Sequence, residues 1–163
     1  MNLLGIILAI NRILIVGLGS IGKRHLRLAR ELLPKADIRV LRHKSNNEVH
    51  EYSNGSFSSI EESIAFSPQI AVIASPATFH IATAQALAEA GVHLLIEKPL
   101  SASLSGVAQL LETCERHGVV LLTGYNLRFL SSKPSVLAMI TPLGLSDLIL
   151  VFKAAAFMAT NTS

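Results

Sequence analysis

The chain has 163 residues, half of them hydrophobic and 15% charged, enough for one domain or one domain and a stub of a second, and too apolar for global disorder. A formal net charge of +3, with no aromatic residues interleaved among the basic ones, leaves no footprint for nucleic acid. The single cysteine, Cys114, makes no intramolecular disulfide and no metal cluster, and fits a reducing cytoplasm.

A surface this lean in charge is expected to be covered in part by a partner chain, as in a homo-oligomer, or by further sequence. Met1 to Ile10 is apolar but has no early lysine or arginine and no clear small-residue cleavage site, unlike a signal peptide. Asn11 and Arg12 break the run well short of the roughly 20 residues that span a bilayer. Residues 1–11 read as an N-terminal extension, and no membrane association is expected.

Arg12 to Val16 is a short β-branched run ending at glycine, the look of a buried parallel strand. Ser20 to Leu33 has apolar residues near helical spacing and is stopped by Pro34. Asp37 to Leu41 is a second strand, and the polar stretch from His43 to Ser56 reads as a loop. Ser58 followed three residues later by Glu61 predicts a capping box and a short helix.

Gln69 to Ala74 predicts a third strand, Thr78 to Ala90 a helix closed by Gly91, and Val92 to Ile96 a fourth strand. Ser103 to His117 predicts a helix closed by Gly118, and Val119 to Thr123 a fifth strand. Continuous apolar strands alternating with helices imply an α/β fold, a doubly wound parallel sheet covered on both faces. From Ser131 the pattern breaks at Pro134, Pro142 and Gly144, and Leu148 to Phe152 could form one more strand. The division expected is a dinucleotide-binding Rossmann domain over 12–130, with 131–163 a linker and the start of a second, truncated α/β domain.

Gly17-Leu-Gly19-Ser-Ile-Gly22 matches G-x-G-x-x-G between a predicted strand and a predicted helix, the context that gives this motif weight. Gly17 allows the tight turn, Gly19 lets a pyrophosphate approach the backbone, and Gly22 lets helix and strand pack closely. Helix-entrance N–H groups then hold the phosphates.

NAD sites place a carboxylate about 20 residues further on, but here the second strand ends in Arg42, His43, Lys44 and Ser45. Those side chains suit the 2′-phosphate of NADP, or form a solvated basic strand end. The cofactor is read as NAD or NADP, with a lean to NADP. Lys23, Arg24, Arg27 and Arg30 either raise the local potential for a phosphorylated ligand or form a solvated helix face, the blander reading being favoured.

Ser75 and Pro76 follow the third predicted strand, and Glu97, Lys98 and Pro99 the fourth. Both sets lie at the carboxyl edge of the sheet, where open α/β sheets bind ligands. Lys98 could there orient a substrate hydroxyl or help its proton leave; alternatively, Glu97 and Lys98 form an ordinary surface ion pair. A lone His80 at a helix start is by itself a cap or a packed ring.

Four blocks carry a family resemblance: Val16 to His25, Ser75 to His80, Ala90 to Leu100 with its Glu-Lys-Pro run, and Gly124 to Phe129. Over about Arg12 to Phe129 the chain resembles the glucose–fructose oxidoreductase, inositol dehydrogenase and rhizopine catabolism (Gfo/Idh/MocA) oxidoreductases. The resemblance implies a Rossmann domain followed by a larger α/β domain. It also implies hydride transfer between NAD(P) and a carbinol carbon of a sugar, sugar nucleotide or cyclitol.

By that resemblance Gly17, Gly19, Ser20, Ile21 and Gly22 hold the pyrophosphate, and Ser75, Pro76 and His80 lie along the nicotinamide side. Glu97 and Lys98 border the nicotinamide ribose, with Lys98 facing substrate, and Asn126 and Arg128 sit at the domain junction near the cofactor, Asn126 among the residues that bind it. The family's downstream acid/base histidine has no counterpart, His117 being the last histidine. A cofactor-binding but inactive chain is therefore expected. A non-catalytic dinucleotide-binding module and a non-functional gene fragment remain open, whereas a methyltransferase gives Glu97-Lys98-Pro99 no role.

Overall fold

The apolar β-branched runs favour extended backbone and leave water by pairing edge to edge. The computed structural model describes residues 10–42 and 50–124. In chain order the elements are β1 (Arg12–Val16), α1 (Ser20–Leu32), β2 (Asp37–Leu41), β3 (Gly55–Phe57), α2 (Ile60–Ala65), β4 (Ile70–Ile73), a 3-10 turn (Ala77–Phe79), α3 (His80–Glu89), β5 (His93–Glu97), α4 (Val107–His117) and β6 (Leu121–Gly124).

The strands form one sheet in the order β3-β2-β1-β4-β5-β6, every pair parallel. β1 is flanked by β2 and β4, so the winding direction reverses there and opens a crevice beyond the two carboxyl ends. The register aligns Val16 with both Leu41 and Ile73, and Ile73 with Ile96. The loops that follow β1, β4 and β5 therefore emerge side by side.

β4 is buried along its whole length, which requires cover on both faces of the sheet. Leu14, Ile15, Ile38, Ile73, Leu94 and Ile96 are shut off from solvent, with Leu87 of α3 and Leu110 of α4 packed against the sheet residues. The unit Ile10–Gly124 is compact, and among the described residues no helix is long and apolar enough to cross a membrane.

Four local expectations change. The loop expected over His43–Ser56 gives way to a sixth strand, β3, from Gly55. Asn54 explains it: its N–H donates to Ile38 O at 2.8 Å and its Oδ1 accepts the Ile38 N–H at 2.9 Å. Asn54 Oδ1 also accepts from Arg30 Nη2, and Arg30 reaches the carbonyls of Tyr52, Pro34 and Ala36. Arg30 is thus a clamp inside the fold, not part of a solvated helix face.

The capping box lies one residue later than expected: Ser59 Oγ accepts the Glu62 N–H, and the Glu62 carboxylate accepts the Ser59 N–H. α4 begins at Val107, not Ser103, because Gly106 holds φ at +77°, a left-handed conformation that a helix interior cannot contain. Leu148 to Phe152 and the expected domain over 131–163 lie outside the described residues.

Candidate functional site

β1 runs into Gly17, whose N–H donates to Leu41 O at 3.0 Å. Its φ of +86° and the Ser75 backbone alongside, 2.9 Å from where a β-carbon would stand, leave room for glycine alone. At Gly22 a β-carbon would overlap the Gly17 carbonyl oxygen, so α1 closes tightly over the turn. Gly19 differs: a β-carbon there would meet nothing within 4 Å.

Gly19 is the N-cap of α1. No side chain caps the helix, and its first turn carries no acidic residue. The positive end of α1, with the N–H groups of Ser20, Ile21 and Gly22 unsatisfied within the helix, therefore adjoins open space. Ser20 and Ile21 are exposed.

Facing this turn is the loop after β4. The Ser75 hydroxyl oxygen is buried without a hydrogen-bond partner, an orphan that a ligand group could satisfy, and Pro76 beside it is exposed. Ser75 O lies 2.7 Å from Nε2 of His80. The other ring nitrogen, Nδ1, lies 3.0 Å from Pro99 O. His80 is 1% exposed, so it stands behind the crevice and offers no free nitrogen to a ligand. Both partners are main-chain carbonyl oxygens, which accept only.

β5 ends at Glu97. Its Oε1 accepts from Nε2 of His25 on α1 at 2.7 Å, and its Oε2 lies 3.3 Å from the Lys98 N–H. The His25 hydrogen bond holds the Glu97 carboxyl below the usual carboxylate range against the opposing effect of burial, with the His25 and Lys98 charges helping. Gly124 of β6 packs so close to this carboxylate that a β-carbon there would stand 3.0 Å from Oε1. Lys98 is exposed beyond it, and the Lys98–Pro99 peptide is cis.

Gly17, Gly19, Ser20, Ile21, Gly22, Ser75, Pro76, Glu97 and Lys98 thus share one edge of the sheet. Arg42 follows β2 at the same edge, half-exposed, its N–H bonded to Phe57 O at 3.0 Å. His43, Lys44, Ser45, Asn126 and Arg128 lie outside the described residues. His25 is the site residue that reading by motif missed. It sits three residues beyond Gly22, and only the fold reveals its partner. The surface ion pair considered for Glu97 and Lys98 is replaced by the His25–Glu97 bond as the closest contact of that carboxylate.

A glycine turn capping an open helix entrance at the switch point of a parallel sheet defines a dinucleotide-binding Rossmann domain. Residues 11–125 match the model of the oxidoreductase family with an NAD-binding Rossmann fold, GFO_IDH_MocA, and the chain belongs to that family. It is 33% identical over 124 residues to the uncharacterized oxidoreductase YrbE of Bacillus subtilis (strain 168), covering 71% of this chain and 35% of that protein.

Among solved structures, myo-inositol 2-dehydrogenase from Lactobacillus plantarum superposes with a TM-score of 0.66 at 21% identity, over 75% of this chain and 38% of that one. The WlbA dehydrogenase from Bordetella pertussis, in complex with NADH and UDP-GlcNAcA, gives 0.60 at 24% identity, over 69% and 35%. The chain therefore spans little more than a third of the length of these relatives.

Proposed function

We propose that the crevice binds NAD(P) and serves a dehydrogenase acting on a CH–OH group of a sugar, sugar nucleotide or cyclitol. The observation that carries this reading is the open approach at Gly19, set between two glycines with no such room. An unpartnered Ser75 hydroxyl across the gap supports it.

In this reading the N–H groups of Ser20, Ile21 and Gly22 hold the pyrophosphate against the positive end of α1. Ser75 and Pro76 line one side of the nicotinamide. Glu97, oriented by His25, accepts from the adjoining ribose. A nicotinamide held there would supply hydride transfer to or from the substrate carbon. Lys98 faces that carbon's oxygen, orients the hydroxyl and eases departure of its proton.

Arg42 at the end of β2 favours the 2′-phosphate of NADP, since a guanidinium can bind it through two hydrogen bonds. The name of one structural neighbour, a myo-inositol 2-dehydrogenase, and the UDP-GlcNAcA in complex with another suggest a polyhydroxylated substrate. Turnover by the 163-residue chain alone is expected to be negligible beside binding. Among the described residues Lys98 has no second group dedicated to the substrate proton, because Glu97 is engaged by His25.

Titration of the purified chain with NADH and NADPH, read by nicotinamide fluorescence, tests the proposal. Saturable binding, tighter for NADPH, is expected. Binding of neither overturns the proposal, and tighter NADH binding overturns the role given to Arg42.

A further inference from the structure

We propose that His80 is the positioning residue for the nicotinamide half of the crevice, setting the spacing between the Ser75–Pro76 and Lys98–Pro99 loops without touching the ligand. This inference rests on the dinucleotide reading given above. The β4–β5 ladder pairs residues only as far as Ile73 and Ile96, and the two loops begin beyond that point. His80 bridges them, with Ser75 O at 2.7 Å and Pro99 O at 3.0 Å.

A buried imidazole needs a partner for each of its two ring nitrogens, and the bridge lies in where those partners come from. This one places each nitrogen against the main chain of a different loop. Both held carbonyls are immediate neighbours of proposed ligand groups: Ser75 O adjoins the orphan Ser75 hydroxyl and Pro76, and Pro99 O lies one residue beyond Lys98.

The anchor is rigid. His80 opens α3, whose Ala84, Leu87 and Ala88 are fully buried, so the ring cannot drift without moving a helix seated in the core. The glycine turn meets this bridge only where Gly17 packs against the Ser75 backbone, and its hydrogen bonds run elsewhere. Gly17 is held by Leu41 O, and the first bond of α1 runs from Lys23 N–H to Gly19 O. Loss of the imidazole should therefore separate the two halves of the ligand, weakening the grip on the nicotinamide and its ribose while sparing adenosine and pyrophosphate.

The test compares NADH with ADP, which lacks the nicotinamide and its ribose, on the full chain and on His80→Ala and His80→Gln. His80→Ala is expected to weaken NADH about tenfold and to leave ADP within about twofold, the scale of one lost positioning hydrogen bond. His80→Gln, whose amide can donate to both carbonyls, recovers part of the loss.

Equal weakening of both ligands, or of neither, overturns the proposal. If His80→Ala does not fold, the wild-type chain carries the test through imidazole nitrogen NMR signals. NADH must shift the His80 resonances and ADP must leave them in place, and any other pattern is contrary. Failure of wild-type protein to bind either ligand would sink the dinucleotide reading itself, an outcome distinct from binding without this selectivity.

Discussion

Nδ1 of His93, at the start of β5, accepts the backbone N–H of Val120 at 3.1 Å. The bond ties two strand entrances at the edge of the sheet opposite the crevice, and it needs a bare ring nitrogen. Burial pushes the imidazole below its ordinary value of 6.5. The unfolded chain therefore takes up a proton first as pH falls, and the folded state loses stability below about pH 6.5. Denaturant midpoints of wild-type protein should drop between about pH 7.5 and about pH 5.5 by more than those of His93→Gln. Equal drops would remove His93 as the cause.

The two tight glycines and the open one should part under mutation. Gly22→Ala sets a β-carbon into the Gly17 carbonyl and is expected to cost about 3 kcal/mol of stability. At Gly19 a β-carbon meets nothing within 4 Å, so Gly19→Val should lose only about 1 kcal/mol as a poorer cap. Its NADH affinity should nonetheless fall about tenfold or more as ligand room is taken. Melting curves and titrations on the two variants read the two effects separately.

Glu97 stabilises the fold as a carboxylate bonded to His25. Because its folded value lies below the ordinary 4.5, that contribution is present above about pH 4.5 and fades as pH falls through the folded value. Glu97→Gln should be less stable than wild type by about 1 kcal/mol near neutrality, a charged bond discounted for partial exposure. The gap should close in acid. A constant difference across the acid range would assign the bond no charge dependence.

Cys114 sits on the buried face of α4, and burial pushes its thiol upward. Both effects suppress the thiolate that reacts. An aromatic disulfide reagent should leave the native chain unlabelled and modify it at the rate of opening, so that labelling accelerates with denaturant. Rapid labelling without denaturant would contradict the packing around α4.

The sheet core was legible because Ile13 to Val16, Ile70 to Ile73 and Leu94 to Ile96 are continuous apolar runs, and burial on both faces leaves nothing else for such runs to be. β3 was not. Gly55, Ser56 and Phe57 have no such pattern and become a strand through Asn54 and Arg30, contacts made by tertiary packing. The capping box slipped by one residue because Ser58 with Glu61 and Ser59 with Glu62 satisfy the same spacing, and only backbone geometry selects the second. Gly17, Gly19 and Gly22 could be placed from spacing alone, whereas the bond from His25 to Glu97 joins residues 72 positions apart. His80 was legible as a motif member but not as a bridge, since its partners are backbone oxygens that carry no side-chain signature.

The turn after β1 leans on Leu41 from one flank of the sheet and on Ser75 from the other. Both flanks meet there. A chain emerging during synthesis lacks the Ser75 wall until β4 has docked, and a ligand that uses both flanks favours only the finished fold. Affinity at this turn is accordingly a gauge of completed assembly, more discriminating than helix content, which local segments acquire early.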